Sequence, residues 1–198
     1  NRTQILLADA LTCRREFGDG THRSRYNEDG SLSHYHFTER CAEHCFINTA
    51  VILDSPRKLF WAGIGDALSK QCEALLSSRG QDLGHTPLLG VQVAQVCEGP
   101  LLRYGREALE DFEAGRLSDA FAQTVLDIII STGIASNLLT TEKDYYYNSS
   151  IAHCFYNASM VLPTIHAHLH GEVVSFGVLV LQAVDGNDEA LERRRRAP

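Results

Sequence analysis

What this chain lacks narrows it before any motif is read. It has no basic surplus: across 198 residues the net charge is −7, so a nucleic-acid binder with a cationic face is not expected. It has no dense disulfide framework, since its six cysteines (13, 41, 45, 72, 97 and 154) are scattered along the chain. No apolar run of membrane-spanning length and no signal-peptide pattern stand out, so the expectation is a cytoplasmic protein without a membrane partner. The sequons at Asn148 and Asn157 then carry no weight. A Gly-x-Ser-x-Gly elbow and a phosphate-cradling glycine loop with its lysine are both absent, which argues against a serine hydrolase and a P-loop enzyme.

What is present is an ordinary globular composition, 44% hydrophobic and 22% charged, enough to bury a full core. Gln4 to Leu11 fits a short helix or a buried strand, and Arg14 to Gly20 an exposed turn. Tyr26-Asn-Glu-Asp-Gly-Ser predicts a hairpin, with strands near 22–27 and 32–38. A third strand is expected near 46–53, where Phe-Ile-Asn-Thr-Ala-Val-Ile-Leu is apolar and β-branched. From Pro56 the pattern turns helical: 56–62 ending at Gly63, 64–78, 87–113 with a possible break at Gly99-Pro100, 117–139, 148–161, and His170 to Ala183. The organisation predicted is a β-hairpin-containing segment (1–54), a helical domain (55–185) and a polar, basic tail (186–198) that frays, its Arg193–Arg196 run solvated.

Three stretches carry candidate chemistry. Asp66 follows the Gly63-Ile-Gly65 pair, placed by this reading on the first turn of a helix, where it could simply serve the helix dipole. His153 sits on the apolar Ile151-Ala-His-Cys-Phe stretch, where a core histidine is the plain alternative. His166, His168 and His170 alternate before Gly171, and only one of them needs to point inward. One Asp and two His from three helices would make a three-ligand metal site with an open position. Cys41-Ala-Glu-His-Cys45 does not have the usual zinc spacing, and no second cysteine pair follows it within range.

Taken together, these stretches resemble the glycerol dehydrogenase branch of the iron-containing (group III) alcohol dehydrogenases. The resemblance is carried by Gly63-Ile-Gly-Asp-Ala-Leu-Ser-Lys-Gln-Cys-Glu-Ala74, Ala152-His-Cys-Phe-Tyr-Asn-Ala158 and His170-Gly-Glu-Val-Val-Ser-Phe-Gly-Val-Leu179, and runs from about Tyr26 to Gln182. It implies a mainly α fold, a helical bundle like the family's C-terminal domain preceded by a short β-hairpin. It also implies a zinc (or iron) ion on Asp66, His153 and His170, with Tyr156 and Lys70 as candidate catalytic residues. Tyr156 stands where the family pattern has a second histidine, and Ala158 where it has glycine. Nothing in residues 1–25 resembles the family's pyrophosphate-binding stretch, so NAD(P) binding by this chain alone is not expected. The function implied is a metal-dependent oxidoreductase acting on a small alcohol or carbonyl substrate. The alternatives are a non-redox Lewis-acid lyase, cyclase or isomerase on the same fold, and a non-catalytic scaffold. A homo-oligomer or a partner subunit is expected to cover the surfaces left by a missing nucleotide domain.

Overall fold

A computed structural model describes residues 22–27, 32–37, 45–141 and 145–196. The expectations for Gln4–Leu11, for the 14–20 turn and for Cys41 and His44 fall outside that range. The hairpin is present. Strands β1 (His22–Tyr26) and β2 (Leu32–Phe37) pair antiparallel, His22 opposite Phe37 and Arg25 opposite His34, with an irregularity between Arg25 and Tyr26.

The strand expected at 46–53 is instead helical. Helix α1 (Thr49–Leu53) begins at Asn48, whose side-chain oxygen accepts the Ala50 N–H at 3.1 Å. That cap satisfies a free amide where a strand would need a partner, and local capping outweighs the β-branched composition. Only Ile52 of this helix is buried.

Helix α2 (Arg57–Ala67) runs through Gly63 rather than ending there, and α3 (Ser69–Ser78) follows after a bend at Leu68. The glycines of this stretch serve contact, not termination. A Cβ on Gly65 would lie 2.8 Å from the Gly171 carbonyl oxygen, and one on Gly171 would lie 1.8 Å from the Ala62 carbonyl oxygen. No side chain fits between the two backbones. Gly171 belongs to α9 (His170–Val184), so the glycines draw α2 and α9 into direct backbone contact.

Between them, α4 (His85–Ala94) and α5 (Gly99–Glu113) are separate helices, split where Gly99-Pro100 was read as a break. Helices α6 (Asp119–Leu126) and α7 (Thr132–Leu139) form one run through a π-helical turn at Asp127–Ser131. By length and composition this 21-residue run could cross a membrane, which the sequence reading did not expect. Its Phe121, Val125, Ile128, Ala135 and Leu139 are nevertheless buried in the core, as in the central helix of a globular fold. Helix α8 (Ile151–Ser159) then packs along α9.

Three apolar clusters hold the bundle. Phe60, Phe112 and Phe121 stack at 5.0–6.1 Å between centroids and tie α2 to α5 and α6. Cys72, Ala152, Val174, Val178 and Leu181 join α3, α8 and α9. Ala74, Val91, Ala94, Ala135 and Leu139 join α3, α4 and α7, so α3 is shared between two clusters. Burial of this kind is the main stabilising term of such a fold.

The tail expected to fray is also ordered. Asn187 caps α10 (Asp188–Arg195) by accepting the Ala190 N–H at 3.0 Å. Arg194 is buried, not solvated: its guanidinium donates to the Leu68 carbonyl (2.9 Å) and to Gln71 Oε1 (3.2 Å), and pairs with the buried Glu98 at 3.0 Å. Four adjacent arginines read as one solvated block, but a helix sends each to a different side.

Candidate metal centre

The α2–α9 contact fixes the first half of the site. Asp66 lies on the last turn of α2, not the first turn of a helix, and His170 opens α9. A carboxylate at a helix C-terminal end gains nothing from the dipole, so the capping explanation of Asp66 fails. His153 comes from the first turns of α8. His170 Nε2 and His153 Nε2 approach the same atom, Asp66 Oδ1, at 3.3 and 3.5 Å. One ligand atom from each residue falls within 4.8 Å of the other two. The imidazole rings lie 5.3 Å apart and tilted by 51°.

Asp66 Oδ1 is buried and has no hydrogen-bond partner. A buried carboxylate oxygen paired at long range with two ring nitrogens, but without a well-formed hydrogen bond, fits a cation-binding donor set. One carboxylate and two imidazoles suit zinc or ferrous iron by chemistry. The electrostatics agree. Burial would raise the Asp66 carboxyl, but His170 and His153 outweigh it and hold it well below the usual range. Burial lowers His153, yet the Glu73 and Asp66 carboxylates beside it push it up to about 10. Two carboxylates here call for positive charge between them, which a proton or a metal cation can supply.

Glu73 was not singled out from the sequence, and it is the most tightly held residue of the site. It is fully buried. Its Oε1 accepts the N–H groups of Ser150 (2.7 Å) and His153 (3.0 Å), and its Oε2 lies 2.6 Å from His153 Nδ1. Lys70, offered by the resemblance as catalytic, is occupied elsewhere: Nζ donates to Asn148 Oδ1 at 2.7 Å and lies 3.5 Å from the Asn148 carbonyl oxygen. Ser77 Oγ donates to the Tyr147 carbonyl at 2.7 Å. Lys70, Glu73 and Ser77 thus form a buried polar face of α3 that holds the segment 147–153 and presents His153.

Tyr156, one turn after His153, is buried with its ring edge-on to His170 at 4.2 Å, which confines that imidazole. Among the three alternating histidines only His170 joins the triad. His168 is half exposed and pairs with Glu172 at 2.8 Å, and the same carboxylate receives the Leu169 N–H. Of the Cys41–Cys45 pair only Cys45 is described, and it is exposed.

No family model matches the chain. Among curated proteins it is 32% identical over 167 residues to hydroxycarboxylate dehydrogenase A of Escherichia coli (strain K12), covering 84% of this chain and 45% of that protein. It is 28% identical over 160 residues to glycerol dehydrogenase of Citrobacter freundii, covering 78% of this chain and 41% of the relative. Among solved structures, a probable glycerol dehydrogenase from Sinorhizobium meliloti 1021 superposes with a TM-score of 0.74 at 26% identity, over 90% of this chain and 51% of that one. The chain spans about half the length of the curated relatives it matches. With the hairpin and the helical bundle in place, the chain is, over most of its length, a homologue of glycerol dehydrogenase and hydroxycarboxylate dehydrogenase, proteins of the iron-containing alcohol dehydrogenase family.

Proposed function

We propose that this chain supplies the metal centre of an oxidoreductase acting on a small alcohol or carbonyl compound. The observation that carries the reading is the buried Asp66 Oδ1, without a well-formed hydrogen bond, facing the Nε2 atoms of His153 and His170. These three residues would hold zinc or ferrous iron. When bound, such an ion polarises the substrate oxygen, which favours loss of hydride from the adjoining carbon of an alcohol. The chain's own residues orient and hold. Tyr156 confines His170, and we assign to its hydroxyl a hydrogen bond or a proton for the substrate oxygen. Lys70 is a positioning residue, acting through Asn148 on the approach to α8.

Hydride transfer needs an acceptor. We place the nicotinamide outside residues 1–198, on a partner subunit or on a longer form of the chain, and expect an oligomer for the same reason. The support is the similarity to named dehydrogenases roughly twice this length.

The test is metal content per chain by elemental analysis, on protein purified without chelator. The expected result is about one zinc or iron per wild-type chain, lost in His153→Ala. No metal as purified, and none taken up from added zinc, would overturn the reading.

A further inference from the structure

We propose that Glu73 sets the tautomer of His153 and thereby the affinity of the centre for its metal. The inference rests on the metal reading of the triad and adds a residue to it that touches no ligand position itself.

The argument is one of donors and acceptors. An ionised carboxylate has acceptors only. Glu73 Oε1 is already committed to two backbone N–H groups, and Oε2 faces His153 Nδ1 at 2.6 Å. That nitrogen must therefore donate, so Nδ1 keeps its proton whether or not a cation is bound. When a cation takes the place of the second ring proton, the Nε2 lone pair is the one that faces it, beside Asp66 Oδ1 and His170. A hydrogen-bonding partner on the far ring nitrogen is the usual way a ligating imidazole is fixed and made more basic. Here the same carboxylate also grips the His153 backbone amide, so ring and main chain are referenced to one group. Glu73 is fully buried, so water does not compete for these bonds.

Glu73→Gln separates this role from simple packing, because the two side chains have nearly the same shape. If the amide oxygen keeps the two backbone N–H groups, its NH2 faces Nδ1. The ring proton then moves to Nε2 and points into the cation position. If the amide flips, its NH2 meets two N–H donors and the start of α8 loses its acceptor. Neither arrangement reproduces the native one.

The experiment uses the full chain loaded with zinc, in wild-type and Glu73→Gln forms. Zinc affinity is measured by chelator competition, histidine tautomers by 15N NMR on 15N-histidine-labelled protein, and folding by thermal melting in chelator. The expected result is a His153 Nδ1–H in wild type and a roughly 10–100-fold loss of zinc affinity in Glu73→Gln, with cooperative melting retained. Should the variant not fold, the wild-type tautomer decides alone. Zinc retained within about threefold in a folded Glu73→Gln, or a wild-type His153 protonated at Nε2, overturns the proposal and leaves the metal reading standing. A wild type that takes up no zinc overturns both.

Discussion

Asp127 offers the sharpest test of how the fold handles buried charge. It sits in the π-helical turn between α6 and α7, 3% exposed, and both of its carboxylate oxygens lack a hydrogen-bond partner. Burial pushes its carboxyl up to about 7, against a weaker opposing effect of Ser131. The sign follows from proton counting. The folded carboxyl titrates above the unfolded one, so at intermediate pH the unfolded chain has lost its proton while the folded chain keeps it. The contribution of Asp127 is most favourable below about pH 4, falls as pH rises, and is fully lost above about pH 7. A displacement of roughly three units at 1.36 kcal/mol each gives at most about 4 kcal/mol. Asp127→Asn keeps the shape and removes the titration. The variant should match the wild type within about 1 kcal/mol near pH 4 and exceed it by about 2–4 kcal/mol at pH 8. For a chain of this size that is a rise in Tm of roughly 5–15 °C. Urea unfolding of both proteins in chelator, from pH 4 to 8, measures the difference directly, because ionisations common to both cancel. Parallel curves across that range would refute the reasoning, and so would a less stable variant at pH 8.

The α2–α9 contact and the buried arginine carry further expectations. Gly171→Ala places a methyl inside the contact distance of the Ala62 carbonyl oxygen. It should cost about 3 kcal/mol or more by forced separation of the helices, seen as a lowered Tm, and should also weaken zinc uptake because His170 moves away from Asp66. Arg194→Ala removes the buried partner of Glu98, leaving only the half-exposed Arg193 at 3.5 Å, and should destabilise by about 2–4 kcal/mol, whereas the exposed neighbour Arg195→Ala should change stability by less than about 0.5 kcal/mol; paired thermal melts compare them. Tyr156→Phe should retain zinc within about threefold while lowering turnover by about 100-fold or more, measured with nicotinamide on the complex or longer chain that supplies its site. Unchanged turnover would remove the hydroxyl from the proposed chemistry.

The helical bundle was legible because its periodicity is sustained: α5, α6 with α7, and α9 all carry an apolar face over many turns, and Gly99-Pro100 marks its own break. The three stretches were legible by residue type, but the choice of His170 over His166 and His168 came from the family resemblance; the fold brings it together with Asp66 and His153. Other features were not legible, each for a local reason. Thr49–Leu53 is rich in β-branched residues, and one asparagine cap decides against the strand. Gly63 reads as a helix stop, because sequence does not reveal that a second backbone lies against this stretch. Glu73 was hidden by its company. Lys70, Glu73 and Ser77 at helical spacing look like a solvent-facing stripe, and only the tertiary placement of 147–153 turns that stripe inward. Arg194 was masked in the same way by its three like-charged neighbours.

The anchoring of 147–153 by α3 bears on the life cycle of the centre. His153 is held through amide and ring contacts to Glu73, and the preceding residues through Lys70 and Ser77, none of which involves the cation itself. The ordering cost of bringing the histidine to Asp66 is therefore met during folding and not at metallation. On the metal reading proposed above, the centre would empty and refill with the chain still folded, and exchange would be set by access and supply rather than by refolding.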